Sequence, residues 1–388
     1  MILIKNGKII TMTGVNYENG CILINNGKII EIGNNINPQQ GTDVIDAKGG
    51  WVLPGLIDAH CHIGLMEEDI GVEGMDVNEA TDPITPHMRA IDGINPLDPS
   101  FEEAVKAGIT TVMSGPGSTN VIGGQFVVMK TKGVSIDEMV IEEPAAVKIA
   151  FGENPKRIYK IKNKMPMTRM GTAALLRETL TKAKIYKIKK DAAKVNGDNF
   201  DIDIKMEALI PVLDKKIPFK VHAHRADDLL TAIRIAKEFD VSLTLDHCTE
   251  GQLIIEQIKN SGVPVILGPT MSFRSKVETK NKSFNTAKIL NEAGIKFAIM
   301  TDHPVIPIEY LPISVGLLVR AGLNMEEGLK AITINAAEIL GIEHRIGSIE
   351  KGKDADIAIY DGNPMEIFTN TLYTIIDGKI VYSITKYH

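Results

Sequence analysis

Two imidazoles two residues apart, His60 and His62, close the apolar segment Leu53-Pro54-Gly55-Leu56-Ile57-Asp58-Ala59-His60-Cys61-His62. On a β-strand, side chains two positions apart share a face, so both rings would leave the strand end toward one point. That suits a single metal ion. A lone His-x-His pair also occurs among hydrogen-bonded core histidines, but here the chain repeats the device. His222, His247 and Asp302 each stand at the end of a further apolar, strand-like run. Four strand ends carrying ligand-type residues point to a site assembled from distant parts of the sequence. Neutral imidazole nitrogen and carboxylate oxygen suit zinc and similar divalent ions.

The elements that would position these residues alternate between strand and helix from about residue 53 to 345. Strand-like runs are Leu56 to His62, Ile109 to Met113, Phe126 to Lys130, Ala145 to Phe151, Phe219 to His222, Ser242 to His247, Val263 to Leu267 and Phe297 to Thr301. Helical periodicity follows several of them, at Leu229 to Phe239, Gln252 to Asn260 and Thr286 to Ala293, the last with Gly294 as a C-cap. Eight strands alternating with helices predict an α/β fold, a (β/α)8 TIM barrel, whose active site gathers at the C-terminal strand ends. Two stretches fit the pattern poorly: Thr131 to Pro144 is too short for a long helix, and Met167 to Lys194 is longer than one crossover needs.

Outside this region the chain reads as short strands and tight turns. Asn6-Gly7 and Asn26-Gly27 have the chemistry of type I′ hairpin turns, and a similar phrase returns as Asp377-Gly378-Lys379-Ile380-Val381. Asp354 to Tyr360 is another period-2 strand. Residues 1–52 and 346–388 are therefore expected to pair as the two parts of one small β-sandwich domain, with the barrel at 53–345 inserted between them.

With 388 residues, 44% of them hydrophobic and 24% charged, the chain has the make-up of a soluble globular protein with a large core. A net charge of −6 argues against a nucleic-acid-binding surface. The one basic stretch, Lys182 to Lys190, reads as a solvated helix face. Cys21, Cys61 and Cys248 are too scattered for a disulfide framework, and no apolar run reaches the roughly 18 residues of a membrane span. The N-terminus runs straight into a strand without a signal-peptide layout. A cytoplasmic enzyme acting on a small molecule, without nucleic-acid or membrane partners, is expected, and a homo-oligomer is compatible with it.

On the first-strand segment Pro54 to His62, on Thr301-Asp302 and on the tail Gly347-Ser348-Ile349-Glu350-Lys351-Gly352-Lys353-Asp354-Ala355-Asp356, the chain resembles the amidohydrolase superfamily of metal-dependent hydrolases. Within it, the imidazolonepropionase-like and dipeptidase-like branch is the nearest in pattern, and the likeness covers nearly the whole chain. The resemblance implies one metal on His60 and His62 and a second on His222 and His247. Asp302 would bind metal and shuttle the proton, with His247 beside it in the catalytic set. The chemistry agrees: a bound divalent ion acidifies its water toward a pKa of ~7 and polarises a carbonyl, while a carboxylate can take the water proton and return it to a leaving nitrogen.

The fourth strand offers two carboxylate sources. Lys148 sits in the apolar run Ala146 to Phe151, where an unpaired ammonium is costly and conversion to a carbamate would give an anionic bridge between two metals, as in members of the superfamily. Glu153 follows in Gly152 to Arg157 and would serve instead in other branches, or else pair with Lys156 or Arg157. His224 shares a face with His222 and is expected to face substrate. His303 suits a structural hydrogen bond as well as any other role. In the long loop Ile63 to Pro96, Arg89 or His87, near Asp82 and Thr85, could hold a substrate carboxylate. The glycines of Ser114-Gly115-Pro116-Gly117 and Gly123-Gly124 match no phosphate-binding loop and suit a tight turn near the site. Cys61 and Cys248 read as buried spectators.

The expected function is metal-dependent hydrolysis of a C–N bond in a small amide, lactam or dipeptide-like substrate. The alternative is deamination of a heterocyclic ring, although the glutamate such deaminases carry after the fifth-strand histidine is missing from His222-Ala223-His224-Arg225-Ala226-Asp227. A barrel that has lost catalysis and serves as a scaffold would be expected to lose ligands, and this chain keeps them.

Overall fold

A computed structural model describes all residues except 39, 69 and 385–388, so the end of the C-terminal segment lies outside the described residues. The chain forms two eight-stranded sheets. One is the barrel, with strands Leu56–Cys61, Ile109–Ser114, Ile122–Lys130, Val140–Ala150, Phe219–Ala223, Leu243–His247, Val265–Leu267 and Phe297–Ile299 paired in chain order. First and last strands are drawn together just beyond their ends, where the Asp302 N–H donates to the His60 carbonyl (3.2 Å) and the His62 N–H to that of His303 (2.9 Å). Backbone groups of ligand-type residues thus bring the barrel edges together.

The third strand departs from the all-parallel expectation: it runs antiparallel to both neighbours. The cause is connection length. A parallel return needs a crossover of about a dozen residues or more, whereas residues 115–121 link the second and third strands, and 131–139, holding only the short helix Ile136–Met139, link the third and fourth. The missing crossover is balanced by the 28-residue helix Arg169–Asn196, which buries Ala173, Leu176, Leu180 and Ala183 at helical spacing. Lys182, Lys184 and Lys189 lie on its exposed side. Helix Ala226–Phe239 packs the same way through Leu229, Ala232, Ile235 and Phe239. No described helix is long and apolar enough to cross a membrane.

The second sheet joins the chain ends. Its order is Lys379–Ser383, Thr371–Ile376, Ile357–Tyr360, Trp51–Pro54, Ile2–Ile10, Asn16–Asn25 and Lys28–Gly33, with Asp43–Asp46 also paired to Ile2–Ile10. N- and C-terminal segments meet where Ile357 faces Pro54 and Ala358 faces Leu53. Asn26-Gly27 (φ 48° and 78°) and Asp377-Gly378 (φ 49° and 71°) make the expected hairpin turns. Asn6-Gly7 does not. There the strand Ile2–Ile10 continues and changes partner from Asp43–Asp46 to Trp51–Val52, and a Cβ on Gly7 would come within 2.5 Å of Val52 Cγ2. The barrel is pinned to this sheet by Lys130, 3% exposed, whose ammonium meets Asp356 at 2.5 Å and Asp354 at 3.3 Å.

Candidate metal centre

The strand ends deliver two ligand groups to one cavity of about 460 Å³, lined among others by His62, Lys148, His222, His224 and Asp302. In the first group, Asp302 Oδ1 lies 3.5 Å from His60 Nε2 and 3.4 Å from His62 Nε2. The far nitrogens are anchored: His62 Nδ1 bonds the Gly115 carbonyl at 2.7 Å, and His60 Nδ1 bonds Asp246 Oδ2 at 2.5 Å. The loop Ser114 to Gly117 thus serves as a backbone acceptor. Asp58, two residues before His60 and on its face of the strand, accepts from the His60 N–H and from the N–H and hydroxyl of Thr301. Burial pushes the Asp58 carboxyl up to about 7.

The second group is His222, His224 and His247. His247 Nδ1 donates to the Gly268 carbonyl at 2.9 Å, which turns its Nε2 toward His222 Nδ1, 2.7 Å away. His224 Nδ1 bonds Thr249 Oγ1 at 2.8 Å. Within each group the ligand atoms lie within 4.8 Å of one another. Burial holds the imidazoles of His60, His222, His224 and His247 well below their ordinary pKa, aided at His60 by the Lys148 charge. They are therefore neutral, the form that binds a metal. Donor chemistry, convergence and protonation state all fit divalent metal. His247 (φ 69°) and Asp302 (φ 55°) have left-handed backbones, a conformation that costs energy in non-glycine residues and concentrates at functional sites.

Lys148 is fully buried, and its Nζ lies 3.2 Å from His60 Nε2. No carboxylate pairs with it among the described residues, and burial lowers its pKa to about 8. Glu153 joins neither group. It opens the helix Glu153–Ile161, its N–H donates to Glu278 Oε2, and the turn presents Asn154 instead, 3.5 Å from His222 Nε2. His224, expected to face substrate, does line the cavity but also stands in the ligand-competent triad. His303 Nδ1 accepts the Ile308 N–H.

Arg89 and His87 lie apart from these groups, lining a neighbouring cavity of about 380 Å³. The Arg89 Nε is held 3.1 Å from Glu143 Oε1. Cys61 and Cys248 are buried, which raises both thiols and takes Cys248 to about 12, so neither offers a thiolate.

Sequence reasoning missed Asp246, Lys220, Asp58 and Glu278. A signal existed for three: Asp58 and Lys220 stand two residues before a strand-end histidine, and Asp246 directly precedes His247. Glu278 comes from a loop and carried none; its Oε1 is buried without a hydrogen-bond partner among the described residues, 3.6 Å from Lys276 Nζ.

The chain is 27% identical over 389 residues to the amidohydrolase tasK of Hapsidospora irregularis, an alignment covering 92% of this chain but 39% of that relative's length. It is 24% identical over 399 residues to an imidazolonepropionase of Thermoplasma acidophilum, covering 95% of this chain and 90% of that one. An amidohydrolase structure from Thermotoga maritima MSB8 superposes with a TM-score of 0.96 at 44% identity, covering 99% of this chain and 100% of the other. Residues 51–381 match the amidohydrolase family. On fold, strand-end ligand groups and family match together, the chain belongs to the amidohydrolase family and is a hydrolase of carbon–nitrogen bonds.

Proposed function

We propose that this protein hydrolyses the C–N bond of a small amide, lactam or dipeptide-like substrate with divalent metal, zinc by ligand chemistry, held at two adjoining positions. The observation that carries the reading is the placement of Lys148 beside the first ligand group in the cavity that also receives the second. His60, His62 and Asp302 would hold one ion and His222 and His247 the other. Neutral Lys148 would add carbon dioxide at Nζ, releasing a proton, and the resulting carbamate would bridge the two positions. When bound, the metal supplies an acidified water and a Lewis acid for the carbonyl.

The remaining work falls to the chain's own residues. Asp302 Oδ1, within 3.5 Å of both first-strand imidazoles, takes the proton of the attacking water and passes it to the leaving nitrogen. His224 and Asn154 line the wall of the cavity and orient the substrate. Arg89 and His87, in the neighbouring cavity, lie outside this reading. The three thiols are free and buried, in keeping with a cytoplasmic location.

A screen of N-acyl amino acids, dipeptides, hydantoins and lactams against zinc-loaded protein, alongside heterocyclic amines, tests the proposal. Release of a free amine or ring-opened acid is expected. Ammonia from heterocyclic amines alone would replace it with deamination.

A further inference from the structure

Two buried charges on neighbouring strands reach across the barrel interior to the first strand. Lys220, 1% exposed, stands on Phe219–Ala223 and Asp246, fully buried, on Leu243–His247. Lys220 Nζ donates to the Ala59 carbonyl at 2.9 Å and lies 3.0 Å from Asp246 Oδ2. That same oxygen meets His60 Nδ1, while Thr244 Oγ1 donates to Oδ1 at 2.7 Å. A buried ion pair is expensive to desolvate, and this one is spent on the residue just before His60 and on the His60 ring itself.

We infer that Asp246, held by Lys220, is the positioning residue that fixes the tautomer and orientation of His60 for metal. A carboxylate only accepts hydrogen bonds, so neutral His60 must carry its proton on Nδ1. The Nε2 lone pair is thereby left facing Asp302 and Lys148, which lie 3.5 Å and 3.2 Å away. Lys220 stops the carboxylate from turning away and fixes the strand backbone at Ala59. An amide at position 246 would lose this control, because its NH₂ could donate to Nδ1 and move the ring proton to Nε2. Partners of this kind typically change metal affinity about 10- to 100-fold. The inference rests on His60 being a metal ligand, yet its first consequence is readable without metal.

The test uses the full-length protein with ¹⁵N-labelled histidine. In metal-free wild type, the imidazole signals lost in His60→Gln should be those of an Nδ1–H tautomer. Asp246→Asn, alone and with Lys220→Met to remove the stranded charge, should abolish that tautomer. Zinc affinity by chelator competition should fall about 10- to 100-fold at the position that His60→Gln abolishes and stay unchanged at the other. Thr244→Val, which removes only the hydrogen bond to Oδ1, should lower thermal stability and leave tautomer and zinc affinity as they were. An Nε2–H tautomer in wild type overturns the inference even if the variants fail to fold. So does a variant that keeps the tautomer, one that loses it with zinc affinity intact, or an equal loss of affinity in Thr244→Val. Failure of wild type to bind zinc would instead count against the proposed function, with the tautomer still deciding the role of Asp246.

Discussion

Lys148 Nζ stands 3.2 Å from His60 Nε2, with both side chains fully buried. Because His60 Nδ1 is engaged by Asp246, the nitrogen facing Lys148 carries a lone pair, and the lysine amine is directed at the ligand edge of the first imidazole pair. A buried ammonium whose one hydrogen bond goes to this neutral acceptor, with Asp246 and Asp302 acting only through their charge, is incompletely compensated. Burial lowers the Lys148 pKa to about 8, which brings the neutral amine that the proposed carboxylation needs within reach just above neutral pH.

Lys148→Ala should therefore cost one equivalent of bound metal and most of the turnover, and acetate, a carboxylate small enough to occupy the vacated bridge, should restore part of both. Glu153→Gln should leave metal content unchanged, since Glu153 opens a helix beside Glu278 instead of entering either ligand group. Metal analysis of the two variants decides between them. Loss of metal in Glu153→Gln with retention in Lys148→Met would reverse the assignment.

Asp302→Asn should keep the fold and most of the metal, because an amide oxygen still coordinates weakly, and should lower turnover by about 10²- to 10⁴-fold for want of a proton acceptor. Steady-state rates and metal content, measured on the same sample, check this. Activity above about a tenth of wild type would remove Asp302 from the proton path.

Lys130 should be a structural keystone. Lys130→Met strands Asp356 in the protein interior and should cost about 3–5 kcal/mol in denaturant unfolding, with part recovered by adding Asp356→Asn. Burial pulls the Lys130 pKa down, but Asp356, Asp377 and Asp354 outweigh it and hold it above 10.5. The folded value exceeds the unfolded one, so the stabilisation is complete below pH 10.5 and fades as pH rises through the folded value. The gap between wild type and variant should be flat through neutral pH and narrow only in strong alkali.

Deleting residues 357–388 should strip three strands from the terminal sheet and leave Trp51–Pro54 as an unpaired edge. Aggregation and a lower melting temperature are expected. A truncated chain as soluble and as heat-stable as the whole would contradict the importance of this pairing.

The strand-end residues that converge in the two candidate groups were legible because the signal is local: a histidine or aspartate closing an apolar run stands out, and barrel topology explains why such ends converge. The direction of the third strand was less so, since its apolar run Phe126 to Lys130 looks the same read either way and only the short flanking links reveal the reversal. Asn6-Gly7 has the residues of a hairpin turn but lies where a long strand changes partners, a tertiary fact that no dipeptide encodes. Lys220 and Asp246 are marked in the sequence by their places beside His222 and His247, but their partners, Ala59 and His60, become visible only when strands five and six are brought against the first. Arg89, a plausible substrate clamp by residue type, is held by Glu143 outside the cavity of the ligand groups.

Metal counting on protein prepared with zinc and bicarbonate tests the two-position centre most directly. About two equivalents per chain are predicted, falling to about one in His222→Ala, as expected for imidazole ligands of separate ions. A wild-type chain that binds none, or a count indifferent to His60→Ala and His222→Ala alike, would contradict it.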